Sequence, residues 1–248
     1  MRSVVTEIAP DVFRLNQEHP GGANVSCFVI RDEQAAMVET NLGATFPATL
    51  EAVRTLLDPE TIRYFFIPCF AMDECGALNK FLSHAPKAEV MCSPPGAMTL
   101  SDFLGYRPRV MADGERVELG AKSIQAVLTP WAPQLDSMVF YEEADKLLFS
   151  SDLFITHHNA EEPVTSEDCS AAMVAFYQSM GTFPSRVHLD QALDKIEALD
   201  IEILAGMHGS LFCGDLRRYF TALRHESVAG LLDSPFYERQ FDVGVGKR

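Results

Sequence analysis

A chain of 248 residues, 47% hydrophobic and 10% aromatic, carries enough apolar side chain to bury a large core. Its formal net charge of −15 excludes nucleic-acid binding, which needs clustered Lys and Arg, and argues equally against anionic membrane surfaces. No apolar run approaches the roughly 18–20 residues of a membrane span, and the first residues lack the apolar core of a signal peptide, so a cytoplasmic location is expected.

Residues 11–16 and 24–31 alternate or run apolar in the manner of strands, with Pro20-Gly21-Gly22 as the turn between them. A third strand is expected over 35–40. Residues 45–57 place apolar side chains at 46, 50, 53, 56 and 57, the stripe of an amphipathic helix. The apolar run 64–67 reads as a buried strand and leads into a loop, and 76–82 reads as the helix after it. A short strand over 89–92 is broken by Ser93-Pro94-Pro95-Gly96, and 97–104 reads as a helix. Residues 109–110, 116–119 and 123–128 are strand-like, and 137–141 pairs with 146–150 around a charged turn. Helices are expected over 166–180, 188–198 and 216–224, with a strand over 202–205. Strands in two groups, each followed by helices, indicate two packed sheets with helices outside, a mixed α/β class.

The loop after 64–67 concentrates the chemistry. It reads Cys69-Phe70-Ala71-Met72-Asp73-Glu74-Cys75-Gly76-Ala77-Leu78, with two thiols and two adjacent carboxylates between a strand and a helix. The six cysteines show no paired spacing. Reduced thiols are expected in a chain of this kind, most of them serving as small buried hydrophobes.

This loop resembles the metal-binding loop of the metallo-β-lactamase fold, and more closely that of its flavodiiron-like, oxygen-binding di-iron branch. There the pattern is His-x-Glu-x-Asp-His-(Ser)-Gly-x-Leu, with a variant His-x-Glu-x-Asp-Glu-Cys-Gly. Asp73, Glu74, Cys75, Gly76 and Leu78 match; Cys69 stands where the first His belongs and Ala71 where the Glu belongs. Asn24 and Glu39-Thr40 fall where the branch has an Asn and a strand ending in Asp-Thr. A second segment, Thr129-Pro130-Trp131-Ala132-Pro133-Gln134-Leu135-Asp136-Ser137-Met138, resembles Thr-Pro-x-x-His-x-x-Asp-Ser-Met, but the His position holds Pro133 or Gln134. A third, Leu147-Leu148-Phe149-Ser150-Ser151-Asp152-Leu153-Phe154, resembles Leu-Phe-Ser-Ser-Asp-x-Phe, whose Asp bridges two metals. A fourth, Met207-His208-Gly209-Ser210, resembles the branch's last ligand motif.

The resemblance implies an αββα metallo-β-lactamase-like sandwich over residues 1–225, with 226–248 as a C-terminal tail at a dimer interface. Its Phe236, Tyr237 and Phe241 lack polar patterning, and apolar tails dock rather than stay in water. The implied metal residues are Asp73, Glu74, Asp152 and His208, with Cys69 as a thiolate-capable replacement; no catalytic residue is assigned. Ala71 and Pro133 offer no ligand atom and Gln134 a weak one. One metal position is therefore expected to be lost. The other would hold one Fe, Zn or Mn ion through three carboxylates and one imidazole. The alternative for Asp152 is a turn cap, and for His208 a surface histidine. His157 and His158 are loop residues or substitute ligands. If the carboxylates stand without metal, like charges raise at least one carboxyl pKa.

Two functional readings follow. One is a member of the branch without an intact dinuclear centre, acting as a sensor or binding protein for a small molecule or O2-type ligand, or carrying altered chemistry. The other is a mononuclear metal-dependent oxidoreductase or hydrolase. A Cys69 nucleophile with His208 as base, and a serine hydrolase through Ser137 or Ser151 without an elbow motif, are weaker. No Gly-rich phosphate loop follows a strand, and no FMN domain is expected in this chain.

Overall fold

The computed structural model describes residues 3–18, 24–156 and 162–230. Its strands form two seven-stranded mixed sheets. The first runs β1 (Val4–Ala9), β2 (Val12–Glu18), β3 (Asn24–Ile30), β4 (Ala35–Val38), β5 (Ile62–Phe66), β6 (Glu89–Cys92), β7 (Arg109–Val110), in that spatial order. The second contains β8 (Arg116–Glu118), β9 (Ser123–Leu128), β10 (Met138–Glu142), β11 (Leu147–Ser151), β12 (Val164–Thr165), β13 (Ile203–Gly206) and β14 (Leu211–Cys213), in the order β12-β14-β13-β11-β10-β9-β8. The helices are α1 (Phe46–Leu56), α2 (Met72–Cys75), α3 (Leu78–Leu82), α4 (Gly96–Leu104), α5 (Ser170–Met180), α6 (Arg186–Glu197) and α7 (Arg217–His225).

Period-two alternation explains the layering. Along β3, which is buried throughout, Val25 is buried, Cys27 and Val29 pack on the helical side with α1 and α3, and Phe28 and Ile30 turn to the other sheet. Along β10, Val139 and Tyr141 face α5 to α7 while Met138 and Phe140 face inward. The inward rings meet across the sandwich, Phe28 on Phe149 at 5.0 Å and Phe66 on Phe140 at 5.2 Å between ring centroids. Each such ring contributes roughly 1.5–3 kcal/mol by burial. The sequence therefore builds one core between the sheets and one under each helical layer, the αββα arrangement that was expected.

Differences from the sequence reading are short or edge elements. β1 is an edge strand with no fully buried residue, so it lacks the alternation that marks a half-buried strand. β12 and β14 are two and three residues long, too short for a period to register. α2 is a single helical turn inside the loop that was read as irregular up to Gly76.

Parallel pairing sets the position of the site. β4 pairs parallel with β5, and β11 with β13, so the loops leaving these strands open at one end of the sandwich. Backbone bonds lace them together. Thr40 N donates to Glu74 O, Met207 N to Ser151 O, Ser26 N to Met207 O and Met138 N to Pro68 O. Gly76 and Gly43 meet so closely that a Cβ on Gly43 would lie 2.8 Å from Gly76 O, which is why the loop needs glycine there. No helix among the described residues is long and apolar enough to cross a membrane.

Candidate functional site

Asp73, Glu74, Asp152, His208 and Cys69 come from three loops at that end of the sandwich and meet. His208 follows β13. Its Nδ1 lies 2.6 Å from Asn24 O, so the ring donates that proton to the carbonyl and turns Nε2 inward. Nε2 then lies 3.3 Å from Asp73 Oδ2 and 3.8 Å from Asp152 Oδ1. The loop is clamped from behind. Gly209 N donates to Asn24 Oδ1 at 2.8 Å, and buried Arg14 donates to Ser26 Oγ, to Asn16 Oδ1 and to the carbonyls of Gly209 and Pro163. Burial lowers the Arg14 pKa to about 10, still charged at neutral pH. Gly209 has φ +75°, and a Cβ there would meet Thr156 Oγ1 at 2.1 Å, so no other residue fits this turn.

Asp152 follows β11 and is positioned by Tyr177, whose hydroxyl donates to Asp152 O at 2.7 Å and accepts from Ile155 N at 3.1 Å. Tyr177 is fully buried. Replacing it with Phe leaves a buried carbonyl and a buried amide without their partner. We expect Tyr177→Phe to lose about 1–3 kcal/mol of stability. Urea denaturation measures it, and an unchanged midpoint would mean the hydroxyl does not hold this loop.

Glu74 turns inward from α2. Its side chain is fully buried; Oε1 accepts from the Cys69 thiol at 3.2 Å and from Ser151 Oγ at 3.4 Å. Burial, then the neighbouring Asp152 and Asp73 charges, push its carboxyl well above the usual range. Oε2 has no conventional donor, and a retained proton gives it a role facing those two carboxylates. Asp152 is raised to about 6, by burial first and by Asp73, against the opposing pull of His208. Asp73 goes the other way. Burial opposes it, but hydrogen bonds with His208 and Glu74 hold it at about 2. Burial works against a charged His208, and Asp73 and Asp152 outweigh it and raise its pKa. Asp73 is thus held toward its ionised form, Glu74 and Asp152 are pushed toward their neutral forms, and His208 is pushed toward its charged form.

Cys69 pairs with Glu74, not with His208. Burial and the Glu74, Asp152 and Asp136 charges push its thiol well up, which disfavours the thiolate a nucleophile needs. Cys75 donates to Ala71 O at 3.0 Å and is raised to about 12, by burial first. All six cysteines are free. The Thr129–Met138 segment packs against the first loop, where Asp136 Oδ2 accepts from Phe70 N at 2.7 Å. Gln134 N donates to Ser137 Oγ at 2.9 Å.

The sequence reading did not count Glu39 among the site residues. Glu39 ends β4, is buried, and faces Asp152, Asp73 and Ser151. Asn41, two residues on, is buried with neither side-chain atom bonded. The signal was an apolar run, Ala35 to Val38, continuing directly into a carboxylate. Among the described residues, no group of three or more His, Cys, Asp and Glu side chains is arranged to hold a metal ion. His157 and His158 lie outside the described residues, as do Phe236, Tyr237 and Phe241.

Comparison with known proteins follows the same residues. The family model described as ODP family beta lactamase matches residues 23–209. A type A flavoprotein, fprA, from Rhodobacter capsulatus is 29% identical over 225 residues, covering 82% of this chain and 48% of that protein. Among solved structures, a flavo di-iron protein mutant from Thermotoga maritima superposes with TM-score 0.80 at 21% identity, covering 90% of this chain and 61% of that one. Rubredoxin oxygen:oxidoreductase from Desulfovibrio gigas gives TM-score 0.79 at 20% identity, covering 89% and 60%. The chain spans about half the length of the curated relatives it matches.

Proposed function

We propose, from the premise that this chain belongs to the ODP family of β-lactamase-fold domains, that it is a flavodiiron-type domain without an intact dinuclear metal centre. In this reading it binds a small molecule or O2-type ligand in a sensing or binding role, or carries altered chemistry. The observation that carries it is the inward turn of Glu74. A carboxyl at a ligand position is buried, favours its neutral form, and takes the Cys69 thiol proton as a hydrogen bond. Charge that two cations would compensate is compensated here by protons and by the Asp73–His208 pair.

The donor chemistry supports the same reading. A two-metal centre needs about three protein ligands per metal plus a bridge. The positions for one of the two are Cys69, Ala71 and Pro133 or Gln134. Of these, Ala71 and Pro133 have no donor, Gln134 is a weak one, and Cys69 is a protonated thiol. The two irons named in relatives therefore do not fit this residue set.

A second reading, a mononuclear metal-dependent oxidoreductase or hydrolase, rests on His208. Its Nε2 faces Asp73 and Asp152 with the tautomer set by Asn24, the posture of a ligand imidazole. Elemental analysis after growth in iron- or zinc-supplemented medium tests both. At most one metal per chain is the expected result. Two tightly bound metals per chain would sink both readings.

A further inference from the structure

A second concave surface opens at the other end of the first sheet. Strands β5, β6 and β7 run parallel, and the loop that carries Cys69, Asp73 and Glu74 leaves the C-terminal end of β5. At the N-terminal ends of β6 and β7 lies a cleft of about 590 Å³, within the size range of small-molecule sites. Two connections build it. The one from α3 into β6 supplies Leu82, Pro86 and Ala88, and the one from α4 into β7 supplies Tyr106, Arg107 and Pro108. Asn79 Nδ2 donates to Phe103 O at 2.8 Å and ties α3 to the end of α4. Gly105, with φ +74°, ends α4, and its N–H donates to Ser101 O at 3.0 Å. Leu82 and Ala88 pack on the core beneath, as do Leu104 and Val110 beside them. The fold therefore holds the cleft open before any ligand arrives.

Its walls are mostly apolar, and two of its polar groups are donors without acceptors. Arg109, also in the lining, is engaged: its guanidinium lies 2.9 Å from Glu115 and 3.7 Å from Glu89. Arg107 makes no hydrogen bond or ion pair with any of the described residues. The hydroxyl of Tyr106, a residue 47% exposed, has no hydrogen-bond partner among them either. Partial burial raises the Tyr106 pKa, so the hydroxyl keeps its proton at neutral pH and can donate. In a chain of net charge −15, an uncompensated guanidinium at the edge of an apolar cleft is a local reversal of sign.

We propose that this cleft binds a small organic anion, a carboxylate carried on a flat apolar body. The carboxylate pairs with Arg107, whose planar fork matches two carboxylate oxygens, and the Tyr106 hydroxyl donates to it as well. The body lies against Leu82, Pro86, Ala88 and Pro108, removing apolar surface from water on both sides. One uncompensated guanidinium in the lining matches one negative charge, so a carboxylate suits the cleft better than a phosphate dianion. A cation of the same shape would meet that guanidinium and be repelled. The cleft stands apart from Asp73, Asp152 and His208, and the proposal requires no metal.

The probe is naphthoate, titrated into the full-length protein by calorimetry while amide shifts are followed by NMR. Wild type is expected to bind one equivalent, with the shifts concentrated in residues 82–90 and 104–110. Arg107→Gln should weaken binding about tenfold or more, because charge-assisted hydrogen bonds are lost. Arg107 is exposed, so the variant should melt at the wild-type temperature. Arg54→Gln removes the same charge from α1, outside the cleft, and should change the affinity by less than about twofold. Naphthylmethylamine, a cation with the same body, and inorganic phosphate, an anion without one, should each bind about tenfold more weakly or worse. No naphthoate binding at millimolar concentration would overturn the proposal. So would equal losses in the two arginine variants, or shifts centred on Asp73 and His208. Phosphate or the amine binding as tightly as naphthoate would overturn the assigned ligand class.

Discussion

The variant Cys69→His, Ala71→Glu, Gln134→His is expected to bind close to two Fe or Zn ions per chain where the wild type binds one or none. The loops that would receive these side chains are already ordered. Asp136 Oδ2 holds Phe70 N at 2.7 Å, Met138 N holds Pro68 O at 3.0 Å, and Thr40 N holds Glu74 O at 2.7 Å. A ligand added to a preformed partial site adds its coordination energy without the cost of ordering its neighbours. Ala71 directly precedes α2, and Gln134 sits in the loop pinned by Asp136, so the three additions converge from two joined loops. Pro133→His in place of Gln134→His tests the other register. Binding must displace protons from Glu74 and Asp152, so loading should strengthen as pH rises through about 6, the value for Asp152. Metal analysis of the dialysed protein decides it. If the restored variant folds normally and takes up no additional metal, the correspondence of these loops is wrong. Asp73, Asp152 and His208 then become ordinary loop residues.

Glu39→Gln should stabilise the protein at neutral pH. Glu39 is 1% exposed, its Oε2 has no partner, and burial first, then Asp152, pushes its carboxyl well above 4.5, against a bond from Ser151. The folded state keeps a proton that the unfolded chain releases above pH 4.5. This group therefore costs nothing below that pH, and its cost grows as pH rises toward the folded value. At pH 7 the cost has a ceiling of about 3 kcal/mol, from 1.36 kcal/mol per pH unit. Gln has nearly the same shape and no charge to lose. The expected result is a gain of no more than about 3 kcal/mol at pH 7, roughly 10 °C or less in Tm for a chain of this size, shrinking toward zero near pH 4. Asp73 has the opposite sign. Its folded value of about 2 contributes stability above the unfolded carboxyl range that is lost as pH falls toward 2. Thermal melts of both proteins from pH 4 to pH 8 check this. An equal Tm at pH 7, or a gain larger at pH 4 than at pH 7, would rule it out.

The linear pattern was sufficient for the sandwich because burial on two sides writes itself into a strand. In β3, β10 and β11 every position is buried, most of them are apolar, and alternate apolar residues serve different cores. Charge and loop spelling were also legible. Asp73, Glu74, Asp152, His208 and Cys69 were named from their loops, and the fold brings all five together. What the spelling could not contain was direction. Whether Glu74 points to solvent or inward depends on where Cys69 and Ser151 lie, and Ser151 is 77 residues away. Glu39 was passed over as the end of a strand. Its weight comes from Asp152 and Asp73, brought beside it only when β11 and the first loop close over β4. Residue types, alternation and motif spacing are local properties that one strand or loop expresses alone. Protonation states, side-chain direction and surface patches are properties of neighbours, and only the packing of the two sheets chooses who those neighbours are.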